Sequence, residues 1–245
     1  MDSFKNKKTM KYNKTILIFL LFFTIMISNA QEVFIQGGGT TMDWAHLKKF
    51  EEKNEKIKKT NDPERIVFMG NSITEGWSNF DKNFFINNPF VNRGISGQTT
   101  PQMLIRFRPD VVNLKPKSVV ILAGINDIAG NTGPISLENT AENIISMAEI
   151  AIANNIKVYI CSTLPAIDFP WSPGLNPGPK VIKLNSLLKD YSDKNNITYV
   201  DYFSAMADEK GGLKVPEYTS ADDLVHPNLA GYKVMEKIIL DALKN

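Results

Sequence analysis

From residue 66 onward the chain alternates between two patterns. Short apolar runs rich in β-branched residues occur at 66–69, 90–92, 119–123, 158–162 and 197–200. Stretches with helical periodicity follow or separate them at 100–114, 137–154, 180–194 and 228–243. In the second of these, Ile144, Ala148 and Ala151 share one face and a strand follows directly. Strands that are apolar throughout, rather than on alternate positions, are buried on both faces, and helices between them supply the cover. The pattern therefore predicts an α/β chain: a three-layer α/β/α sandwich around a five-stranded parallel sheet. There is no internal repeat and no break in composition after residue 60, which predicts one domain over 61–245.

The residues before it divide in two. Lys5, Lys7, Lys8, Lys11 and Lys14 precede an apolar run over 16–27 that only Thr24 interrupts, and Ser28-Asn29-Ala30 ends it with small residues. A basic start, a short apolar core and a small-x-small end form a secretory signal over 1–30. Twelve helical residues reach roughly 18 Å, short of the roughly 30 Å of a bilayer's hydrocarbon core. Stable membrane insertion after cleavage is therefore not expected, and the predicted location is secreted or periplasmic. No Cys lies near the cleavage point, so a lipid-modified start is not expected either. Residues 31–60 read as a lead-in containing Gly37-Gly38-Gly39, then an amphipathic helix over 44–59 that Asp43 could cap, with Trp44, Leu47, Phe50 and Ile57 on its apolar side. Its six Lys and three Glu between 48 and 59 read as a solvated face, and His46 as a surface or packing residue.

Composition changes meaning once the leader is set aside. The 245 residues carry 28 Lys+Arg against 26 Asp+Glu, a net charge of +2. Removing residues 1–30 leaves 215 residues at −2, so the basic excess belongs to the export signal and no nucleic-acid partner is expected. With one Cys and two distant His, the chain offers neither a disulfide framework nor a zinc site, and no metal or cofactor is expected. Cys161, in a predicted strand, reads as a small buried apolar residue.

In a parallel sheet, ligands bind beyond the carboxyl ends of the strands, and four segments there carry polar residues. The first strand runs into Gly70-Asn71-Ser72-Ile73. Gly70 permits a sharp turn that leaves Ser72 at the mouth of the sheet, although a Ser at that place is also a common helix cap. The second runs into Asn92-Arg93-Gly94-Ile95-Ser96-Gly97, which could approach a ligand or could be a plain loop before Thr100-Pro101. The third ends in Gly124-Ile125-Asn126-Asp127, where an amide could donate to an oxyanion, or form an Asx-turn, and where the acid could tie down the loop. The last segment is Asp223-Leu224-Val225-His226, ahead of the final helix. A hydrolytic serine needs a base near neutrality with an acceptor on its other ring nitrogen. Asp three residues before His can provide both.

Together the four segments resemble, in order and spacing, the blocks of the SGNH (GDSL-type) hydrolases, whose fold is a flavodoxin-like sandwich. The resemblance spans about residues 65–243. Gly76-Trp77 and the 92–97 string look like the platelet-activating-factor acetylhydrolase-like and bacterial carbohydrate acetylesterase branches. Asn71 departs from the name-giving motif, which has Asp at that supporting position. The resemblance implies Ser72 as nucleophile, His226 as general base and acid, and Asp223 as its orienting carboxylate. It further implies an oxyanion hole from the N–H groups of Ser72 and Gly97 and the Asn126 amide, and activity that falls in acid as the imidazole takes up a proton.

Three residues are candidates for substrate contact: Trp171, in a proline-rich stretch over 164–179 after the fourth strand; Trp77; and Arg93. Each could instead pack or brace the fold, Arg93 through Asp127 or a backbone carbonyl. Branch resemblance, export and the lack of a long apolar insertion for a lipid lid point to short acyl esters, chiefly O-acetyl on a carbohydrate. A lysophospholipase or other acyl-lipid hydrolase is the alternative within the class, and a non-catalytic carbohydrate-binding protein the alternative outside it.

Overall fold

The computed structural model describes residues 43–244; the expected leader and the triple-glycine lead-in lie outside them. Strands β1 (Ile66–Gly70), β2 (Phe90–Gly94), β3 (Ser118–Leu122), β4 (Lys157–Cys161) and β5 (Thr198–Val200) form one sheet in the order β2-β1-β3-β4-β5. Every pairing is parallel. β1 and β3 are buried at all five positions, which is why their sequences carry no alternation. The chain leaves β1 for one edge, to β2, then returns past β1 to β3. The strand order thus reverses beside β1, and the carboxyl ends of β1 and β3 flank the crevice in which such sheets hold ligands.

The helices are α1 (Glu51–Lys58), α2 (Ser72–Phe80), α3 (Lys82–Ile86), α4 (Thr100–Asp110), α5 (Ile125–Ile128), α6 (Leu137–Ala153), α7 (Pro177–Lys194), α8 (Phe203–Met206) and α9 (Leu229–Leu243). α4, α6 and α7 pack side by side on one face of the sheet, and α2, α3 and α9 cover the other. The second face holds an aromatic cluster. Phe68 of β1 meets Trp77, Phe84 and Phe85 edge-on, and Trp77 stacks on Phe84 at 5.0 Å and on Tyr232 at 5.5 Å. Aromatic pairs in these geometries contribute about 0.5–1.5 kcal/mol each beyond their buried area.

Four expectations about helices need correction. The helix expected over 44–59 begins only at Glu51: His46 adopts φ 54°, a left-handed conformation that interrupts a helix, and Trp44 and Leu47 are exposed rather than packed. Phe50, not Asp43, takes the cap position. The helix expected over 100–114 ends at Asp110, where Pro109 has removed an N–H from its last turn. The chain then tightens into a 3-10 turn, Val112–Leu114, closed by Lys115 at φ 49°. α7 starts three residues earlier than expected, with Pro177 in its first turn. The short helices α3, α5 and α8 span too few residues to display a period.

Candidate active site

β1 ends at Gly70, and α2 begins two residues later at Ser72. A side chain at position 70 would put its Cβ 2.0 Å from Thr74 Oγ1 and 3.0 Å from the Leu122 carbonyl, so the turn admits only glycine. Asn71 caps α2, its Oδ1 accepting from the Ile73 N–H at 3.0 Å. Asn and Asp cap helices about equally well, which accounts for the tolerance of Asn here. Ser72 is the first residue of α2, and its N–H therefore has no acceptor within the helix.

From the other end of the chain, the turn before α9 delivers His226 and Asp223. Ser72 Oγ lies 2.9 Å from His226 Nε2, and His226 Nδ1 lies 2.8 and 3.0 Å from the two Asp223 carboxylate oxygens. Asp223 Oδ1 also accepts from the backbone N–H groups of Val225 (3.1 Å) and His226 (2.8 Å). Leu224, which follows Asp223, sits at φ 64°. The carboxylate is thus held by its own turn and meets the ring on the side away from Ser72. This fixes the tautomer that leaves Nε2 free to accept a proton.

The loop after β2 and the short α5 follow the carboxyl ends of β2 and β3. Gly97 has φ 77° with open space where a Cβ would stand, and its N–H meets no acceptor among the described residues. The Asn126 amide donates to the Gln98 carbonyl at 2.9 Å, tying α5 to the residue after Gly97 and leaving its second N–H. Asp127 does tie down the loop, as its position suggested. It accepts from the Thr100 N–H at 3.0 Å on both oxygens and from the Thr100 hydroxyl at 2.6 Å. Burial pushes its carboxyl up to about 6 against these hydrogen bonds.

Beneath the loop lies a polar network whose partners the sequence does not reveal. Arg106 of α4 is wholly buried; it donates to the Gly70 carbonyl at 2.9 Å, to Asp110 at 3.0 Å and to the Gln98 side chain. Asp110 accepts from Asn54 at 2.7 Å, and Asn54 accepts from Arg93 at 3.0 and 2.7 Å. The Gln98 amide reaches back to the Ala45 carbonyl at 2.9 Å. One guanidinium therefore grips both the turn that carries Ser72 and the loop that carries Gly97. The i,i+4 spacing of Arg106 and Asp110 is a sequence signal for a pair, but the same spacing is common on exposed helix faces.

Two of the three candidates for substrate contact are placed elsewhere. Trp77 is 1% exposed in the aromatic cluster, with Nε1 donating to Glu236 at 3.2 Å, so it walls no pocket. Arg93 is 3% exposed; it stacks on Phe50 at 4.6 Å and donates to Asn54 and the Asn92 carbonyl, not to Asp127. Burial lowers its guanidinium to about 10. Trp171 stands at the site: 47% exposed, its ring lies 6.1 Å from that of His226 and is backed by Phe169 at 5.2 Å. Cys161 is fully buried, with its thiol pushed up to about 12 by desolvation. Among the described residues no cluster of His, Cys, Asp and Glu could hold a metal ion, and no helix is long and apolar enough to cross a membrane.

The model of the GDSL-like Lipase/Acylhydrolase family matches residues 68–234. The chain belongs to this family. A candidate acylhydrolase structure from Bacteroides fragilis is 47% identical, with a TM-score of 0.79, over 82% of this chain and 97% of that one. A GDSL-like lipase from Bacteroides thetaiotaomicron is 44% identical, with a TM-score of 0.78, over 82% of this chain and 98% of its own. An uncharacterised lipoprotein of Bacillus subtilis, YqeF, is 26% identical over 67% of this chain and 81% of its own length. Like its family, this GDSL-type protein is a carboxylic ester hydrolase built on the family's parallel-sheet fold.

Proposed function

We propose that the protein is an exported serine esterase that removes short acyl groups, chiefly O-acetyl, from carbohydrates. The reading rests on one observation above all: the chain of contacts from Ser72 Oγ through the His226 ring to Asp223, at 2.9 and 2.8 Å. In this reading Ser72 Oγ attacks the ester carbonyl while His226 Nε2 takes its proton. Asp223 holds the ring and stabilises the imidazolium without taking the proton itself. The carbonyl oxygen, now anionic, is met by the N–H groups of Ser72 and Gly97 and the Asn126 amide. His226 returns the proton to the departing alcohol, leaving an acyl ester on Ser72. Water, deprotonated by the same His226, then releases the acid and restores the hydroxyl. No step requires a metal or a redox group. Export rests on the basic-then-apolar pattern over residues 1–30. The sole cysteine lies in β4, so it does not provide a lipid attachment site beside that leader.

The decisive experiment is acetate release from a panel of acetylated glycans, alongside aryl esters of increasing acyl length. The expected result is turnover highest for acetyl, lowered at least about 10⁴-fold in Ser72→Ala. Turnover that peaks at an acyl chain of about eight carbons would make the protein an acyl-lipid hydrolase. Inactivity on every ester combined with affinity for glycans would make it a binding protein.

A further inference from the structure

The face of α2 that begins at Ser72 has no role in the core. Residues 72, 75, 76, 79 and 80 follow the i, i+3, i+4, i+7, i+8 spacing that normally marks a buried stripe. Here Ile73, Thr74 and Trp77 on the other side are buried, while Asn79 and Phe80 are exposed. This face forms one wall of a cleft of about 580 Å³ whose opposite wall is the His226 turn with Ser220, Pro227 and Asn228. At 1.5 Å per residue the cleft extends about 12 Å from the nucleophile to Phe80. The volume lies within the range of small-ligand sites.

We propose that this cleft receives the alcohol half of the ester, that this half is an uncharged glycan extending beyond the esterified sugar, and that Phe80 is the platform on which the outer sugar ring stacks. The proposal rests on the serine esterase reading and names the substrate of that same site. Three observations carry it. First, the cleft opens directly at His226, the group that must hand its proton to the leaving alcohol. Second, its lining holds two carboxylates, Glu75 and Asp223, and no Lys or Arg. Glu75 is kept ionised: burial opposes this, but the Ser96 hydroxyl and N–H and the Lys49 ammonium outweigh burial and hold it below the usual range. Lys49 is the cation beside the cleft and it is already engaged by Glu75 at 3.1 Å, so a phosphate headgroup or a uronic acid would face the two carboxylates with no Lys or Arg in the lining to receive it. Third, the far end pairs an apolar plate with unused polar groups. The Phe80 ring is 51% exposed and backed by Tyr232 at 5.3 Å. Asn79, one residue before it, and Ser220, across the cleft, carry an amide and a hydroxyl that make no hydrogen bond to other described residues. A ring with one apolar face and hydroxyls at its rim matches that combination; an alkyl chain would leave the polar groups without partners.

The test uses the full mature protein and two assays. In the Ser72→Ala background, calorimetric titration with partially acetylated, neutral β-1,4-linked oligosaccharides should show binding. Adding Phe80→Ala should weaken it about tenfold, and Phe80→Trp should restore it. Acetylated uronate oligosaccharides and lysophosphatidylcholine should bind at least about tenfold more weakly than the neutral series. With Ser72 intact, Phe80→Ala should lower kcat/KM for the oligosaccharide relative to that for 4-nitrophenyl acetate about tenfold, through KM. Equal losses on both esters would make Phe80 a packing residue, and no loss on either would place the glycan elsewhere. Preference for the lysolipid or the uronate would overturn the assignment of an uncharged glycan. In each of these cases Ser72→Ala still silences aryl acetate, so the esterase reading stands; that reading fails separately if Ser72→Ala retains aryl acetate turnover.

Discussion

Arg106 Nη2 donates to the carbonyl of Gly70 at 2.9 Å from a side chain with no exposed surface. The bond matters because Gly70 ends the strand two residues before Ser72, and the same guanidinium holds Gln98 and Asp110. Replacing Arg106 with Met keeps much of the volume but leaves a carboxylate and a carbonyl buried with fewer donors. Removing one partner of a buried pair typically costs about 3–5 kcal/mol. Urea denaturation of Arg106→Met should show a loss of that size; a loss under about 1 kcal/mol would mean that the network contributes little.

Asp127 supplies a pH dependence of defined sign. Its folded-state value of about 6 stands above the ordinary 3.8, so between those values the folded chain holds a proton that the unfolded chain releases. This group therefore makes the fold lose stability as pH rises from about 4 to about 6. An asparagine at the same position would not ionise. The melting temperature of Asp127→Asn, taken relative to the parent, should rise across that window and level off above it. Calorimetry at several pH values checks this, and a flat difference would show that Asp127 titrates normally.

The Asn126 amide spends one N–H on the Gln98 carbonyl, and in the proposed mechanism the other donates to the oxyanion. Asn126→Ala should lower kcat about 10²–10³-fold with a small change in KM, the signature of a donor engaged mainly in the transition state. A change confined to KM would assign Asn126 to ground-state binding.

Trp77 provides a test of placement. Trp77→Phe keeps an aromatic ring in the cluster but removes the donor to Glu236. It should cost about 1–3 kcal/mol, the penalty for leaving a buried acceptor unpaired, with KM unchanged on any ester. A raised KM with full stability would return Trp77 to the substrate pocket.

The parts legible from the sequence are those in which chemistry and position coincide. β1 and β3 are unbroken apolar runs because both faces are covered, and Ser72, Asn126, Asp223 and His226 follow strands or precede a helix, where a parallel sheet gathers its ligand groups. Arg93 and Arg106 were not legible, because a charged side chain reads as exposed until its partners are known. Those partners, Asn54, Asp110 and Gln98, come from three separate segments. Trp77 was left between wall and core for a related reason: an aromatic residue five positions after Ser72 is close in sequence, yet on a helix it points to the far side. His46 kept the predicted first helix from starting at residue 44, through a backbone angle that no periodicity encodes.

Asp223 and His226 sit three residues apart on one turn, whereas Ser72 reaches them from 154 positions away. The packing of two helices bridges that gap: Trp77 of α2 stacks on Tyr232 of α9, and the Tyr232 hydroxyl donates to the Ile73 carbonyl at 2.8 Å. A change at Tyr232 would therefore be felt at Ser72, while Asp223 and His226, held within their own turn, stayed paired.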